Sequence, residues 1–342
     1  MSKIICFKVE EPFKNNRLFV QGGFLDFFYD TKIKLEKIGF KVGTHDLVNE
    51  KKADYIIYCD YRKDFIDNRG IKILLAMESI AVIPKTFKKN YLDKFDYVFT
   101  WNEEIIDNIK IFPLCFSGDL KRIDFIDFNK KLNLICNVSA NKFSTYKNEL
   151  YTERVRAIEY FSHFHSEKFD LYGSGWTKPF KFPLWYKIYR KCSQYKIPRI
   201  LFKIIIYTRV FDRLFFTNYI TYKGTIESKA NTIKNYKFCL CYENVKNIDG
   251  YITEKIFDCF KAGVIPIYLG PKNINKVIPA DTFIDKREFA SYDKLFSHIS
   301  NMDKETYNEY IRRIKSYLDS DSIRKFESNY SSEYFINKLV AL

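Results

Sequence analysis

The chain has 342 residues, 46% of them apolar, which is enough for two ordinary domains with a core in each and excludes a disordered tail or a repeat array. Lysine and arginine outnumber aspartate and glutamate by 57 to 42, a formal charge of +15, which points either to an anionic partner or to lysine enrichment along the whole chain. The eight cysteines have no repeating spacing and read as buried free thiols in a reducing compartment; Cys239 and Cys241, one residue apart, lack the gap of a zinc knuckle, so no metal is expected.

The N-terminal "MSKIICFKVEEPFKNN" has an apolar run that acids and lysines interrupt at once, which fits a first β-strand and not a signal peptide. No run approaches the roughly 18 apolar residues of a membrane span, so the protein is expected in the cytoplasm, or peripherally on the face of a membrane. Strand-like and helix-like runs then alternate: "KIICFKV", "FLDFFYDTKIKLEKIGF", "ADYIIYCDY", "IKILLAMESIAVIP" and "FDYVFTWN". Such alternation predicts an α/β domain with a mostly parallel sheet over residues 1–125. The apolar pattern weakens through "FSGDLKRIDFIDFNKK", read as a linker, and a second α/β series over residues 126–342 starts at "LNLICNVSANK". It continues through "YTERVRAIEYFSHF", "KFDLYGSGW", "YKFCLCYEN", "YITEKIFDCFKAG" and "VIPIYLG". Two such halves in tandem imply a cleft between them, with ligands beyond the carboxyl ends of the strands.

A different composition interrupts the second series. Residues 181–222 hold nine Lys or Arg against the single acid Asp212, with Trp, Tyr and Phe interleaved. Two readings stand: an interfacial segment that meets an anionic membrane surface, or an inserted helical hairpin packed on its own domain. Aromatics among cations also suit nucleic acid, but the chain has no helix-turn-helix, zinc-finger, RNP or KH signature, and no nucleic-acid partner is expected.

The densest chemistry falls in "YKFCLCYENVKNIDGYITEKIFDCFKAG". A strand ends at Glu243 and Asn244, Thr253 is placed to N-cap a helix, and Gly263 follows it as a C′ residue. The helix N-terminus suits a diphosphate, with Lys255 adding positive charge and Glu254 suited to sugar or ribose hydroxyls. Alone, the same pattern would describe a dipole-capping Glu and a solvated Lys.

Tyr242-Glu243-Asn244 followed by Tyr251-Ile252-Thr253-Glu254-Lys255 and "AGVIPIYLGPKNI" resembles the signature of the α1,3/α1,4-fucosyltransferases, glycosyltransferase family 10, over about thirty residues in order. The resemblance implies a GT-B type fold, two Rossmann-like domains facing a cleft, with the C-terminal one binding GDP-fucose. It extends to "YGSGW", to "YKGTIESK" with Lys223, and to "VSANK" with Arg154 downstream. By position these motifs bring Ser139, Asn141, Lys142 and Arg154 to the diphosphate or base, Arg154 being the best suited because a guanidinium grips phosphate bidentately. Glu243, Asn244, Tyr251, Glu254 and Lys255 complete the implied donor site.

On the N-terminal side, "IKILLAMESIAVIP" sets Glu78 at the end of an apolar run. Family members carry Glu-Ser-Pro or Glu-Asn there, with the Glu as general base; this chain has Glu78-Ser79-Ile80, without the proline. The resemblance further implies an inverting transfer of L-fucose from GDP-β-L-fucose to a galactose- or N-acetylglucosamine-containing acceptor of the N-acetyllactosamine kind, forming an α1,3 or α1,4 linkage. Cations and a helix N-terminus would stabilise the leaving diphosphate, so no metal cofactor is required for that role. The one Asp-x-Asp, in "DSDS" at 319–322, falls in a polar C-terminal stretch.

Overall fold

The computed structural model describes residues 2–66, 69–116, 118, 120–176 and 219–341. All but the last four residues of the basic aromatic segment 181–222 therefore lie outside the described residues.

Short runs rich in Ile, Val, Leu, Tyr and Phe form eleven parallel strands in two sheets among the described residues. The first sheet contains β1 (Ile4–Lys8), β2 (Lys41–Thr44), β3 (Tyr55–Cys59), β4 (Ile71–Ala76), β5 (Tyr97–Thr100) and β6 (Ile111–Pro113), in the order β2-β1-β3-β4-β5-β6. Its central strands are apolar without alternation because both faces are covered, as parallel sheets require; Ile56, Ile57, Ile73, Leu74 and Leu75 are fully buried. Register pairs Ile57 with Ile73 and Leu74 with Val98. The second sheet contains β7 (Asn133–Val138), β8 (Phe169–Tyr172), β9 (Tyr236–Tyr242), β10 (Ile265–Leu269) and β11 (Ile284–Asp285), in the order β11-β10-β9-β7-β8. Between the sheets, residues 114–132 form no strand and only a short 3₁₀ turn at Phe128–Lys130 among those described.

In each sheet the chain builds outward on one side and then on the other. The strand order reverses between β1 and β3 in the first sheet and between β7 and β9 in the second. Crevices open at such switch points beyond the carboxyl ends of strands, and the two sheets turn these ends toward one another.

Three helices explain how the faces are covered. In α1 (Asp26–Lys37) Phe27, Phe28, Thr31 and Leu35 fall on one stripe and are buried. The helix α3 (Tyr151–Phe164), after the short α2 (Lys89–Leu92), buries Tyr151, Arg154, Ala157, Ile158 and Phe161 in the same way. After α4 (Lys229–Ile233), α5 (Glu254–Lys261) starts at Thr253, whose side chain accepts the Lys255 backbone N–H. It ends in a Schellman motif, with Gly263 N–H on Phe260 O at 3.1 Å and Val264 N–H on Cys259 O at 3.0 Å. Gly263 has φ +62, and a Cβ there would meet the Phe125 ring at 2.4 Å, so the residue is fixed by backbone and by space.

The chain closes with α6 (Tyr292–Ser300), α7 (Lys304–Leu318) and α8 (Ser328–Val340). The order of runs in the sequence places all of 126–342 in the second domain, yet α8 packs against α1 and the first sheet. Phe335 meets Phe99 edge-on at 4.9 Å and Phe27 at 5.9 Å, and Leu339 is fully buried beside them. Periodicity identifies the apolar stripe of such a helix but not the sheet it covers.

Candidate active site

A cavity of about 550 Å³ lies between the carboxyl ends of the two sheets. Its second-domain wall is built at the ends of β7 and β9 and the start of α5, by Ser139, Lys142, Arg154, Asn244, Tyr251, Thr253, Glu254 and Lys255. Facing it from the first domain are Asp60, which follows β3, Glu78, two residues after β4, and the apolar Phe13, Phe24, Trp101 and Phe116.

Glu243 anchors the second-domain wall from behind. Its carboxylate has no solvent exposure and accepts four donors: the Thr253 N–H at 3.0 Å, the Thr253 hydroxyl at 2.8 Å, Lys255 Nζ at 3.1 Å and the Tyr268 hydroxyl at 3.3 Å. Buried carboxylates persist only with such partners. The bonds tie the end of β9 to the first turn of α5, fixing where the helix N-terminus points. Lys255 Nζ also donates to Thr253 Oγ1 at 2.9 Å and lies 3.8 Å from Glu254 Oε1. Burial pulls the Lys255 pKa down, but the charges of Glu243 and Glu254 outweigh it and the net shift is upward. The ammonium is thus charged at any physiological pH. Burial favours protonation of Glu254, yet Lys255 and Lys229 hold its pKa below the ordinary value.

Arg154 reaches the cavity from the first turn of α3. Its Nη2 donates to the carbonyls of Tyr242 at 2.6 Å and Glu243 at 3.1 Å, and the guanidinium lies 5.3 Å from the Tyr151 ring centre. Burial lowers its pKa, but a guanidinium stays protonated in proteins and the charge remains. Four cations, Lys142, Arg154, Lys229 and Lys255, line the cavity on this side, together with the N-terminus of α5. Among the described residues, only Glu254 of the acids lining this wall opposes them. The arrangement suits a diphosphate.

Across the cavity, Glu78 Oε1 accepts the Ser79 N–H at 2.7 Å and Asn244 Nδ2 at 3.3 Å. Asn244 also donates to the Tyr251 hydroxyl at 3.0 Å. A residue predicted to hold the donor therefore bridges to the predicted base on the other domain. Beneath Glu78, Asp60 Oδ1 accepts the N–H groups of Met77 at 2.9 Å and Glu78 at 3.1 Å. Burial pushes the Asp60 carboxyl up to about 7, its backbone donors opposing the rise and the charge of Glu78 adding to it.

The domains meet directly beside these groups. Ala81 and Trp101 pack with Tyr151, Val245, Ile248 and Tyr251, and the Trp101 and Tyr251 rings meet edge-on at 4.5 Å. Ser144 Oγ donates to Ala81 O at 2.5 Å, and Asn273 Nδ2 to Glu103 Oε2 at 2.9 Å.

Eight of the residues predicted from the sequence line the cavity: Glu78, Ser139, Lys142, Arg154, Asn244, Tyr251, Glu254 and Lys255. Three stand outside its wall. Glu243 is the buried brace described above. Asn141 ties two loops together, its N–H on Ser174 O at 2.8 Å and its Nδ2 on Gly175 O at 3.2 Å. Lys223 is half exposed beside β8 and pairs with Asp170 at 3.5 Å. Conversely, Asp60 and Lys229 line the cavity although the sequence motifs do not select them. Both carry a signal: Asp60 directly follows an apolar run, and Lys229 ends "YKGTIESK". Lys229 is held by Asp258 at 2.9 Å, one turn along α5 from Glu254. Among the described residues no three His, Cys, Asp or Glu side chains are grouped to ligate a metal, and no helix is long and apolar enough to cross a membrane.

Known proteins resemble this chain in part of its sequence and in its fold. Residues 185–335 match the model described as glycosyltransferase family 10 (fucosyltransferase), C-terminal. The bovine 4-galactosyl-N-acetylglucosaminide 3-alpha-L-fucosyltransferase 9 is 40% identical over 91 residues, 26% of this chain and 24% of that protein. Bovine alpha-(1,3)-fucosyltransferase 4 is 36% identical over 93 residues, 26% of this chain and 23% of that protein. The chain thus aligns with about a quarter of the length of these relatives. A crystal structure of an alpha1,3-fucosyltransferase with GDP-fucose superposes with a TM-score of 0.53 at 14% identity, covering 94% of this chain and 91% of the other. An alpha-glucosyltransferase in complex with UDP-glucose and DNA containing an abasic site superposes at 0.57 and 10% identity, covering 99% and 100%, so the fold itself is the two-domain GT-B architecture. By its segment 185–335 and the signature within it, the chain is similar to glycosyltransferase family 10 over less than half of its length.

Proposed function

We propose that the protein is an inverting fucosyltransferase that moves L-fucose from GDP-β-L-fucose to a hydroxyl of a galactose- or N-acetylglucosamine-containing acceptor, forming an α1,3 or α1,4 linkage. The observation that carries the reading is the opposition of Lys255, Arg154 and the α5 N-terminus on one wall to Glu78 on the other. The cationic wall would hold the diphosphate. Glu254 would accept hydrogen bonds from sugar or ribose hydroxyls, and Ser139, Lys142 and Tyr251 would complete the donor side. The apolar first-domain wall suits the C–H face of a pyranose acceptor.

Among the described residues, both bonds to the Glu78 carboxylate fall on Oε1, which would leave Oε2 for the acceptor. Glu78 takes the acceptor hydroxyl proton as that oxygen bonds to the anomeric carbon, on the face opposite the phosphate. The bond from the anomeric carbon to the phosphate oxygen breaks, and GDP departs with the electron pair. Lys255 and Arg154 meet the charge that gathers on it. The segment 181–222, with its excess of cations among aromatics, would dock the enzyme at an anionic membrane carrying a lipid-linked acceptor; vesicle binding that persists after deleting 181–222 contradicts that part.

The test is GDP release from GDP-fucose with N-acetyllactosamine in EDTA, comparing the wild type with Glu78→Gln. Turnover by the wild type, and a fall on the order of 100-fold in a variant that still binds GDP, is expected of a lost general base. A wild type that binds no GDP sinks the reading; one that binds GDP and turns over only another GDP-sugar corrects the donor.

A further inference from the structure

We propose that Asp60 is a positioning residue for Glu78, setting the backbone from which the base reaches the acceptor by accepting the Met77 and Glu78 N–H groups. The inference rests on the reading of Glu78 as general base and adds a residue to it. β3 and β4 are neighbours in register, Cys59 beside Leu75, so the residues that follow them emerge side by side at the cavity. Asp60 takes a left-handed conformation there, φ +59, which turns the chain at the strand end instead of extending it. Its own N–H is held by Leu75 O at 2.9 Å, and its carbonyl accepts the Tyr91 hydroxyl at 3.3 Å. With its backbone pinned on both sides, its carboxylate bonds across to the two residues leaving β4, at 2.9 Å and 3.1 Å through Oδ1 and at 3.3 Å through Oδ2.

The segment so held needs holding. Met77 and Glu78 have left the β4 ladder, which ends at Ala76, and Ile80, two residues beyond the base, does not lock φ as a proline would. Asp60 supplies through hydrogen bonds the restraint on φ and ψ that the local sequence lacks. Of the other bonds to Glu78, the one from the Ser79 N–H at 2.7 Å comes from within the same segment and moves with it, and the one from Asn244 comes from the opposite domain and is long at 3.3 Å. Asp60 is thus the first-domain side chain that sets where Glu78 starts.

Two substitutions tolerate the left-handed backbone and separate the possibilities. Asp60→Gly removes the acceptor at a position where glycine carries no steric cost. Asp60→Asn keeps the Oδ1 acceptor and removes the charge. With the full-length protein, GDP-fucose and N-acetyllactosamine, Asp60→Gly should lower kcat on the order of 10- to 100-fold, the scale of a misplaced catalytic group. KM for GDP-fucose should stay within about twofold, since the cationic wall is untouched. Asp60→Asn should restore kcat to within about threefold of wild type. Circular dichroism and a wild-type-like thermal transition show that the first domain of each variant is folded, and a GDP titration shows that the donor wall is intact.

An Asp60→Gly variant with wild-type kcat overturns the inference, as does an Asp60→Asn variant as slow as Asp60→Gly, which would make charge the property that matters. Glu78→Gln measured in parallel separates the two claims. If Glu78→Gln is slow and Asp60→Gly is not, this inference alone fails; if Glu78→Gln turns over normally, the assignment of the base fails first.

Discussion

Glu243 and Lys255 form the charge pair on which the second-domain wall depends, whereas adjacency in the sequence pairs the lysine with Glu254 instead. Both carboxylates are within reach of Nζ, but Glu243 is fully buried and lies at 3.1 Å against 3.8 Å for Glu254. Breaking a buried pair by removing one partner leaves the other uncompensated. Glu243→Gln should therefore cost about 3–5 kcal/mol of unfolding free energy, read by denaturant titration, and weaken GDP binding because α5 loses its tie to β9. Equal stability of the variant and wild type would mean that solvent already screens the ammonium. Asp60 gives a pH effect of definite sign. Its carboxyl titrates near 7 when folded against 3.8 otherwise, so folding takes up a proton between these values and stability falls as pH rises through that window, becoming flat above it. At about 1.4 kcal/mol per unit, and allowing for partial exposure, the loss is on the order of 2 kcal/mol. Asp60→Asn lacks the titration, so its melting temperature relative to wild type should climb between pH 5 and pH 8; a constant difference would contradict it.

At the scale of elements, the loop from Asn244 to Thr253 joins the two walls, and Gly250 is its tightest point. Gly250 has φ +87, and a Cβ there would lie 2.2 Å from the Trp101 carbonyl oxygen and 2.9 Å from Glu103 Cγ. The backbone of one domain thus approaches that of the other as closely as only glycine permits. Gly250→Ala should force the seam apart, cost about 2–3 kcal/mol by left-handed strain and the clash together, and lower turnover by displacing Tyr251 and Asn244 from Glu78. Thermal unfolding and steady-state kinetics check this, and a variant with unchanged melting and rate would show that the seam can yield. Local signals made much of this region legible. Thr253 as N-cap and Gly263 at C′ follow from rules spanning a few residues, and the run from Tyr242 to Leu269 reads as strand, loop, helix, strand because each element is apolar at its own period. What local rules could not reach were contacts across the fold. Asn141 bonds to a loop over thirty residues away, Asn244 reaches Glu78 across 166 positions, and the groups that Gly250 must avoid belong to the other half of the chain.

For the whole molecule, the chain's last helix decides how the domains are joined. Two α/β halves and a cleft could be read from the order of apolar and polar runs, but α8 crosses back to the first sheet, where Ser328 Oγ donates to Asp30 at 2.8 Å and Lys34 Nζ meets Glu333 at 3.1 Å. Its sequence, "SNYSSEYFINKLV", carries a modest apolar stripe that would fit either domain. The choice is made by volume: Phe335 fills the space between Phe27 on α1 and Phe99 on β5, and Leu339 is sealed in the same cluster. Covering the first sheet in this way makes its stability depend on residues more than 200 positions away, and it spans the cavity's two sides with one continuous chain. Phe335→Ala removes the central ring from this contact and should cost about 3–5 kcal/mol, since the surrounding aromatics on a strand and a helix cannot close the gap. The loss belongs to the first domain. Limited proteolysis should then cut near α1 and β2 first, while GDP, held by the second-domain wall, should still bind at temperatures where the first domain has opened. Simultaneous loss of GDP binding and of first-domain protection would show instead that the seam at Trp101 and Tyr251 couples the two domains into one cooperative unit.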